Sequence, residues 1–201
     1  MINLVHESDP ILKIEPSAWD FKNTLNIIRR LDIENDTWYG SSEVVSDTLD
    51  IQDKLKAPDL YDILVQHMVY HNGIGLSANQ IGIPFRVFSM MVDDKNVICC
   101  FNPKIIKESD EIIVMKEGCL SYPLLFLNIR RPKEVWVTYQ NADGDELDAH
   151  FEGLAARVFQ HEMDHMNGTI FLDRVSKVFL QSARRKQKTL LRKERKNGRT
   201  D

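Results

Sequence analysis

The run His161-Glu162-Met163-Asp164-His165 constrains the fold of this chain more than any other stretch. Residues four apart share one face of an α-helix, so a helix here aims two imidazoles at a single ion. Glu162, beside the first of them, then reaches a water at that ion without being a ligand itself. A chain built this way must bring a third donor, and a group that stabilises developing negative charge, to the same helix. A pair of merely solvated histidines is the bland alternative, and five residues alone do not dismiss it.

Two further segments supply the missing parts. Glu117-Gly118-Cys119-Leu120-Ser121 offers a thiol about forty residues upstream, and Gly73-Ile74-Gly75-Leu76-Ser77-Ala78-Asn79-Gln80 is a glycine-bounded apolar turn ending in a carboxamide. Two histidines and one cysteine leave the fourth corner of a tetrahedral site open, the arrangement of catalytic rather than structural sites. Cys99 or Cys100 closing that corner is the competing reading.

In this order the three segments resemble the signature motifs of the peptide deformylases, G-x-G-L-x-x-x-Q, E-G-C-L-S and Q-H-E-x-D-H, the last matching from Gln160 to His165. The run Gly153 to Phe159 is also family-like. The resemblance spans roughly residues 60 to 175, with an echo in Ser8 to Leu12.

It implies hydrolysis of the N-formyl group on the initiator methionine of nascent polypeptides. Cys119, His161 and His165 become the metal ligands and Glu162 the proton carrier. Gln80 (side-chain NH2) and Leu120 (backbone N–H) become donors to the oxyanion. Gly75, Ile74, Met115, Leu154, Arg157 and Val158 match substrate-binding positions, with core packing the competing reading for the side chains among them. The donor set accepts iron(II), zinc, nickel or cobalt, and the family implies iron(II). The sequence departs from the usual pattern at Ser77, where alanine is the rule, and in the apolar run Leu124 to Leu127. Arg131 matches a basic position expected to pair with Glu117.

Length and charge set the remaining bounds. With 201 residues and 43% apolar content, one domain with a proper core is expected. No apolar run approaches a bilayer span, and Met1 to Pro10, with Glu7 and Asp9, reads as no secretory leader. Three cysteines, two of them adjacent, suit a reducing cytosol. From Arg174 onward eleven Lys/Arg meet two acids, whereas residues 1–173 are net acidic. Such a basic tail points to a polyanion, which the resemblance implies is ribosomal RNA, with a solvated helix or frayed end the competing reading.

Periodicity gives an α+β fold: antiparallel β-strands packed around a central metal-binding helix, with N-terminal helices and a C-terminal basic helix. Helices are expected from Ser17 toward Leu31, from Pro58 to Tyr70, from Leu154 to Met166, and from Ser176 to Lys196. The last should turn Val178, Phe179, Ala183 and Leu190 or Leu191 to one side. Strands are expected at 85–92, 97–101, 111–117, 134–140 and 146–151, with a turn at Asn141 to Gly144. Residues 32–57, with seven acids and two lysines, read as a polar insertion. The expected organisation is a catalytic domain over residues 1–175 and a basic tail over 176–201. Two other readings stay open: another His-Glu-x-x-His metallohydrolase acting on internal peptide bonds, and a non-catalytic, metal-stapled ribosome-binding protein.

Overall fold

The structure is a computed structural model and describes residues 3–21 and 55–197. Helix α1 (Ala57–Tyr70) begins with Pro58 in its first turn, where a missing N–H costs nothing. Leu60, Leu64 and Met68 recur at helical spacing and are fully buried; burying each contributes about 1.5–3 kcal/mol. Seven strands follow: β1 (Gly75–Ser77), β2 (Val87–Met91), β3 (Val97–Glu108), β4 (Ile112–Cys119), β5 (Tyr122–Pro132), β6 (Glu134–Gln140) and β7 (Glu146–Glu152). Helix α2 (Gly153–Met166) and helix α3 (Lys177–Asn197) follow. The expected α+β class holds.

Among the described residues the seven strands pair antiparallel throughout. One sheet has the order β1-β2-β3-β6-β7, and β4 pairs with β5 in a second. Adjacent residues on a strand face opposite ways, and the large sheet is covered on both faces. Val87, Cys99 and Phe101 pack with α1, while Phe88, Met90 and Cys100 pack with α2. Cys99 and Cys100 therefore point into different cores, which explains why neighbours in sequence remain free thiols. A third cluster joins β5 to the N-terminal segment through Val5, Leu12, Tyr122, Leu127, Ile129 and Phe171.

Helix α2 is buried all round: every residue from Ala156 to Met166 is shielded. Its polar residues must then be paired rather than solvated. Gly153 (φ +59°) makes the turn from β7 into α2. At the other end, a Cβ on Gly168 (φ +62°) would lie 2.9 Å from the Lys13 carbonyl, so only glycine fits beneath the N-terminal strap.

Several expectations are corrected. Ser17 does not open a helix: it bridges to Phe85, and Trp19 runs extended into the core against Phe85 and Phe101. The aromatic side chain gains more from that core than a helix start would give. Residues 22–31 of that expected helix, and 32–54 of the polar insertion, lie outside the described residues. Strand β5 was unforeseen, although Leu125, Leu127, Ile129 and Arg131 alternate inward along it. On α3, Val178, Phe179 and Leu190 face solvent. The inward stripe is Leu180, Ala183, Gln187 and Leu191, whose spacing fits a helix packed on β5.

Candidate active site

The strand pair β4–β5, helix α2 and the turn after β1 meet around one cleft of about 1020 Å³. Helix α2 carries His161 and His165, with ring centroids 5.4 Å apart. Cys119 ends β4, and one donor atom from each of these three residues lies within 4.8 Å of the others. The Cys119 sulfur and His165 Nε2 are 3.4 Å apart. A sulfur and a nitrogen sharing one tetrahedral ion would stand about 3.6 Å apart, given the usual bond lengths. The donor set and its spacing fit a single divalent ion. Cys99 and Cys100 lie inside the sheet cores, and among the described residues this group of three is the one donor cluster.

A buried ionic network holds the first histidine. The Glu117 carboxylate accepts from His161 Nδ1 at 2.9 Å, which leaves Nε2 as the ring's free donor toward an ion. It also accepts from Arg131 Nε (2.7 Å) and Nη2 (2.9 Å), and from Arg157 Nη1 (2.7 Å). Burial alone would raise the Glu117 pKa; the Arg131 and His161 hydrogen bonds outweigh it and hold the carboxyl well below the usual range. Arg131 reaches onward to Asp164 at 2.8 Å, and Arg174 pairs with Asp164 from outside. The expected Arg131–Glu117 pair is thus present, within a larger cluster.

The charge balance near the ligands favours a cation. Burial lowers the pKa of His161, yet its bonds to Cys119 and Glu117 push it up to about 10. Burial drives His165 well below its ordinary value and raises Glu162.

Gln80 sits in a short 3-10 turn (Ala78–Ile81) anchored by the bond from Val5 N–H to the Gln80 carbonyl, 2.8 Å. Its Nε2 donates to the Cys119 sulfur (3.3 Å) and to Ser121 Oγ (3.1 Å), while its Oε1 accepts from Ser77 N–H (2.9 Å). Leu120 and Glu162 also line the cleft.

Of the remaining residues singled out in the sequence, Gly75, Ile74, Leu154, Arg157 and Val158 line it, but Met115 does not. Met115 stands opposite Ile129 in the β4–β5 ladder, four residues before the ligand-holding end at Cys119. Arg157 contributes to the wall, but its guanidinium is spent on Glu117 and on the Ile129 and Ile113 carbonyls. It braces the site. The glycines around the start of β1 matter sterically: a Cβ on Gly75 would lie 2.5 Å from Glu162 Oε1, and one on Gly73 2.7 Å from Leu120.

The cleft also has walls that sequence reasoning missed. His6 and Glu7 come from the N-terminal segment, His71 from the end of α1, and Gln187 and Leu191 from α3. No local motif marks them; they meet only through tertiary packing. Two further histidines make packing contacts away from the cleft: His67 Nδ1 meets the Ile63 carbonyl, and His150 stacks on Trp136.

Comparison with known proteins bears on these features together. The pattern of the family described as polypeptide deformylase matches residues 39–180. The peptide deformylase of Thermotoga maritima is 43% identical over 113 residues, 56% of this chain and 68% of that protein. That of Bartonella henselae is 41% identical over 123 residues, 59% and 70% of the two chains. In structure, the chain resembles the Thermotoga maritima enzyme with a TM-score of 0.68, at 31% identity, covering 88% of this chain and 98% of that one. Arabidopsis thaliana peptide deformylase 1B gives 0.70 at 28% identity, over 98% and 93%. A match that runs through both the sequence and the fold, and includes the cleft and its ligand cluster, makes this chain a member of the polypeptide deformylase family of metal-dependent enzymes.

Proposed function

We infer that the chain removes the N-formyl group from the formyl-methionine of nascent polypeptides and releases formate. The observation that carries this reading is the convergence of Glu162 and Gln80 on the Cys119–His161–His165 cluster in one cleft. Those three residues would hold one divalent ion, iron(II) in the native enzyme with zinc, nickel or cobalt able to replace it; when bound, it supplies a Lewis acid beside which water is a competent nucleophile near neutral pH.

The chain's own groups do the rest. Glu162 takes the proton from the attacking water and returns it to the departing amine, one carboxylate serving both steps. Gln80 Nε2 and the Leu120 N–H donate to the oxyanion; the long contact from Gln80 to sulfur is the one a substrate oxygen would replace. Selectivity for formyl over acetyl follows from the lack of slack. Gly73 and Gly75 let Leu120, Glu162 and Val158 close against the turn, a tight wall on which the larger acetyl group would overlap.

Ile74, Leu154 and Val158 offer apolar surface to a methionine side chain, which suits a flexible thioether. Among the described residues β1 and β4 are edge strands at the cleft, so an extended peptide can add its backbone there. The basic face of α3 is assigned to ribosomal RNA, which would hold the enzyme where its substrate emerges in the cytosol. Among the described residues no helix is long and apolar enough to cross a membrane.

The test is turnover of a formyl-Met-peptide against its acetyl-Met counterpart after anaerobic iron loading. Formate release at least a hundredfold faster than acetate release is expected. Cleavage of internal peptide bonds instead would move the chain to the peptidase reading.

A further inference from the structure

Glu162 is fully enclosed, and its environment is asymmetric. Its Oε2 accepts a hydrogen bond from the Ser77 hydroxyl; among the described residues Ser77 is its hydrogen-bond donor. Its Oε1 lies over Gly75, whose absent side chain leaves that oxygen the space it occupies. Gly75 lines the cleft, whereas Ser77 does not and is wholly buried behind it. Ser77 also donates its backbone N–H to Gln80 Oε1 at 2.9 Å. One buried residue therefore touches both the proton carrier and the oxyanion donor.

We propose that Ser77 is a positioning residue that assigns the two oxygens of Glu162 different tasks: Oε2 is tethered, and Oε1 is the oxygen that exchanges the proton with water and amine. The usual family pattern has alanine here, so the tether is particular to this chain. Without it this carboxylate can turn about its last bond, and although a half-turn only exchanges two equivalent oxygens, every partial turn takes the working oxygen away from the reacting atoms. Reactivity is sensitive to such sub-ångström placement. Through its backbone the same residue sets the orientation of the Gln80 amide, because an acceptor held at Oε1 points Nε2 toward Cys119. The backbone bond survives any substitution at position 77 other than proline, so the hydroxyl and the amide can be tested separately.

This proposal rests on the deformylase reading, and the experiment separates the two. Formate release by the intact metal-loaded enzyme tests the parent reading. Ser77→Ala is then expected to lower kcat about tenfold, the loss of one charge-assisted hydrogen bond's worth of positioning, with KM and metal per chain unchanged. Glu162→Asp withdraws the carboxylate from Ser77, so adding Ser77→Ala to that variant should cost nothing more. Equal losses in both backgrounds would mean that the hydroxyl only packs, and an unchanged kcat, or a loss confined to KM or metal content, would also overturn the proposal. A crystal structure of Ser77→Ala decides independently of activity. Glu162 is expected in more than one carboxylate orientation, and a single unaltered one would refute the tether.

Discussion

Helices α2 and α3 both carry dense ionisable side chains, and they handle them in opposite ways. On α2, Arg157, His161, Glu162, Asp164 and His165 are all buried, held by specific partners or brought together as ligands. On α3, Lys186, Lys188, Arg192 and Lys193 stand in solvent, and packing runs through a narrow stripe centred on Gln187. Buried charge acts through geometry at hydrogen-bond range, where a fraction of an ångström matters. Exposed charge acts through a screened field, where number and sign matter more than placement. The contrast teaches that one helix is arranged for short-range, geometry-dependent work and the other for contact through a screened field, which is why the proposed chemistry and the proposed ribosome contact fall on different helices.

The largest effect should come from the buried side. Replacing Glu162 with alanine should lower turnover of a formyl-Met-peptide by about 10²–10⁴-fold while metal per chain is retained, which steady-state kinetics with metal analysis will check. Retained turnover would remove Glu162 from the chemistry.

Next is the network behind His161. Glu117→Gln keeps the shape but removes the anion that Arg131 and Arg157 share, leaving Arg157 without one and Arg131 with Asp164 alone. A loss of about 3–5 kcal/mol is expected in denaturant unfolding, because the pair is buried and cannot recruit water. A charge-swapped Arg131/Glu117 double variant should recover little, since Arg157 and His161 still need an anion between them.

The same group sets an acid limit. The folded-state pKa of Glu117 is depressed, so its contribution is fully present above the ordinary carboxylate range near pH 4–5 and is lost as pH falls toward the depressed value. Thermal unfolding between pH 6 and pH 3 should show a stability loss that is weaker in Glu117→Gln. Parallel curves would contradict the assignment.

The smallest effect on catalysis belongs to α3. Neutralising Lys186, Arg192 and Lys193 to glutamine should leave kcat on short peptides unchanged. It should also reduce the slope of log affinity for ribosomes against log salt by about 0.7–0.9 per lost phosphate contact. An unchanged slope would end the ribosome assignment.

These two helices also differ in how readily the sequence discloses them. The spacing of His161 and His165 pointed to the central helix and to two imidazoles on one of its faces, because period and chemistry coincide there. Cys119 and Gln80 were legible through motif order, and the alternation in β6 and β7 gave their bounds almost to the residue. Strand β5 was obscured because Leu124 takes a left-handed φ of 59° and interrupts the alternation at the start of the strand. The inward face of α3 was misjudged because Gln187, a polar residue, fills its centre by donating to the Pro123 carbonyl at 2.8 Å. The Ser77–Glu162 contact joins residues 85 positions apart, and no local pattern encodes it.

The central claim is that Cys119, His161 and His165 share one ion. Absorption of the cobalt(II)-substituted protein tests it most directly, since a thiolate bound to cobalt(II) gives a charge-transfer band in the near ultraviolet. The account predicts that band at one cobalt per chain, its loss in Cys119→Ser, and its persistence in Glu162→Ala. Stoichiometric cobalt with no sulfur band, or a band indifferent to residue 119, would contradict it.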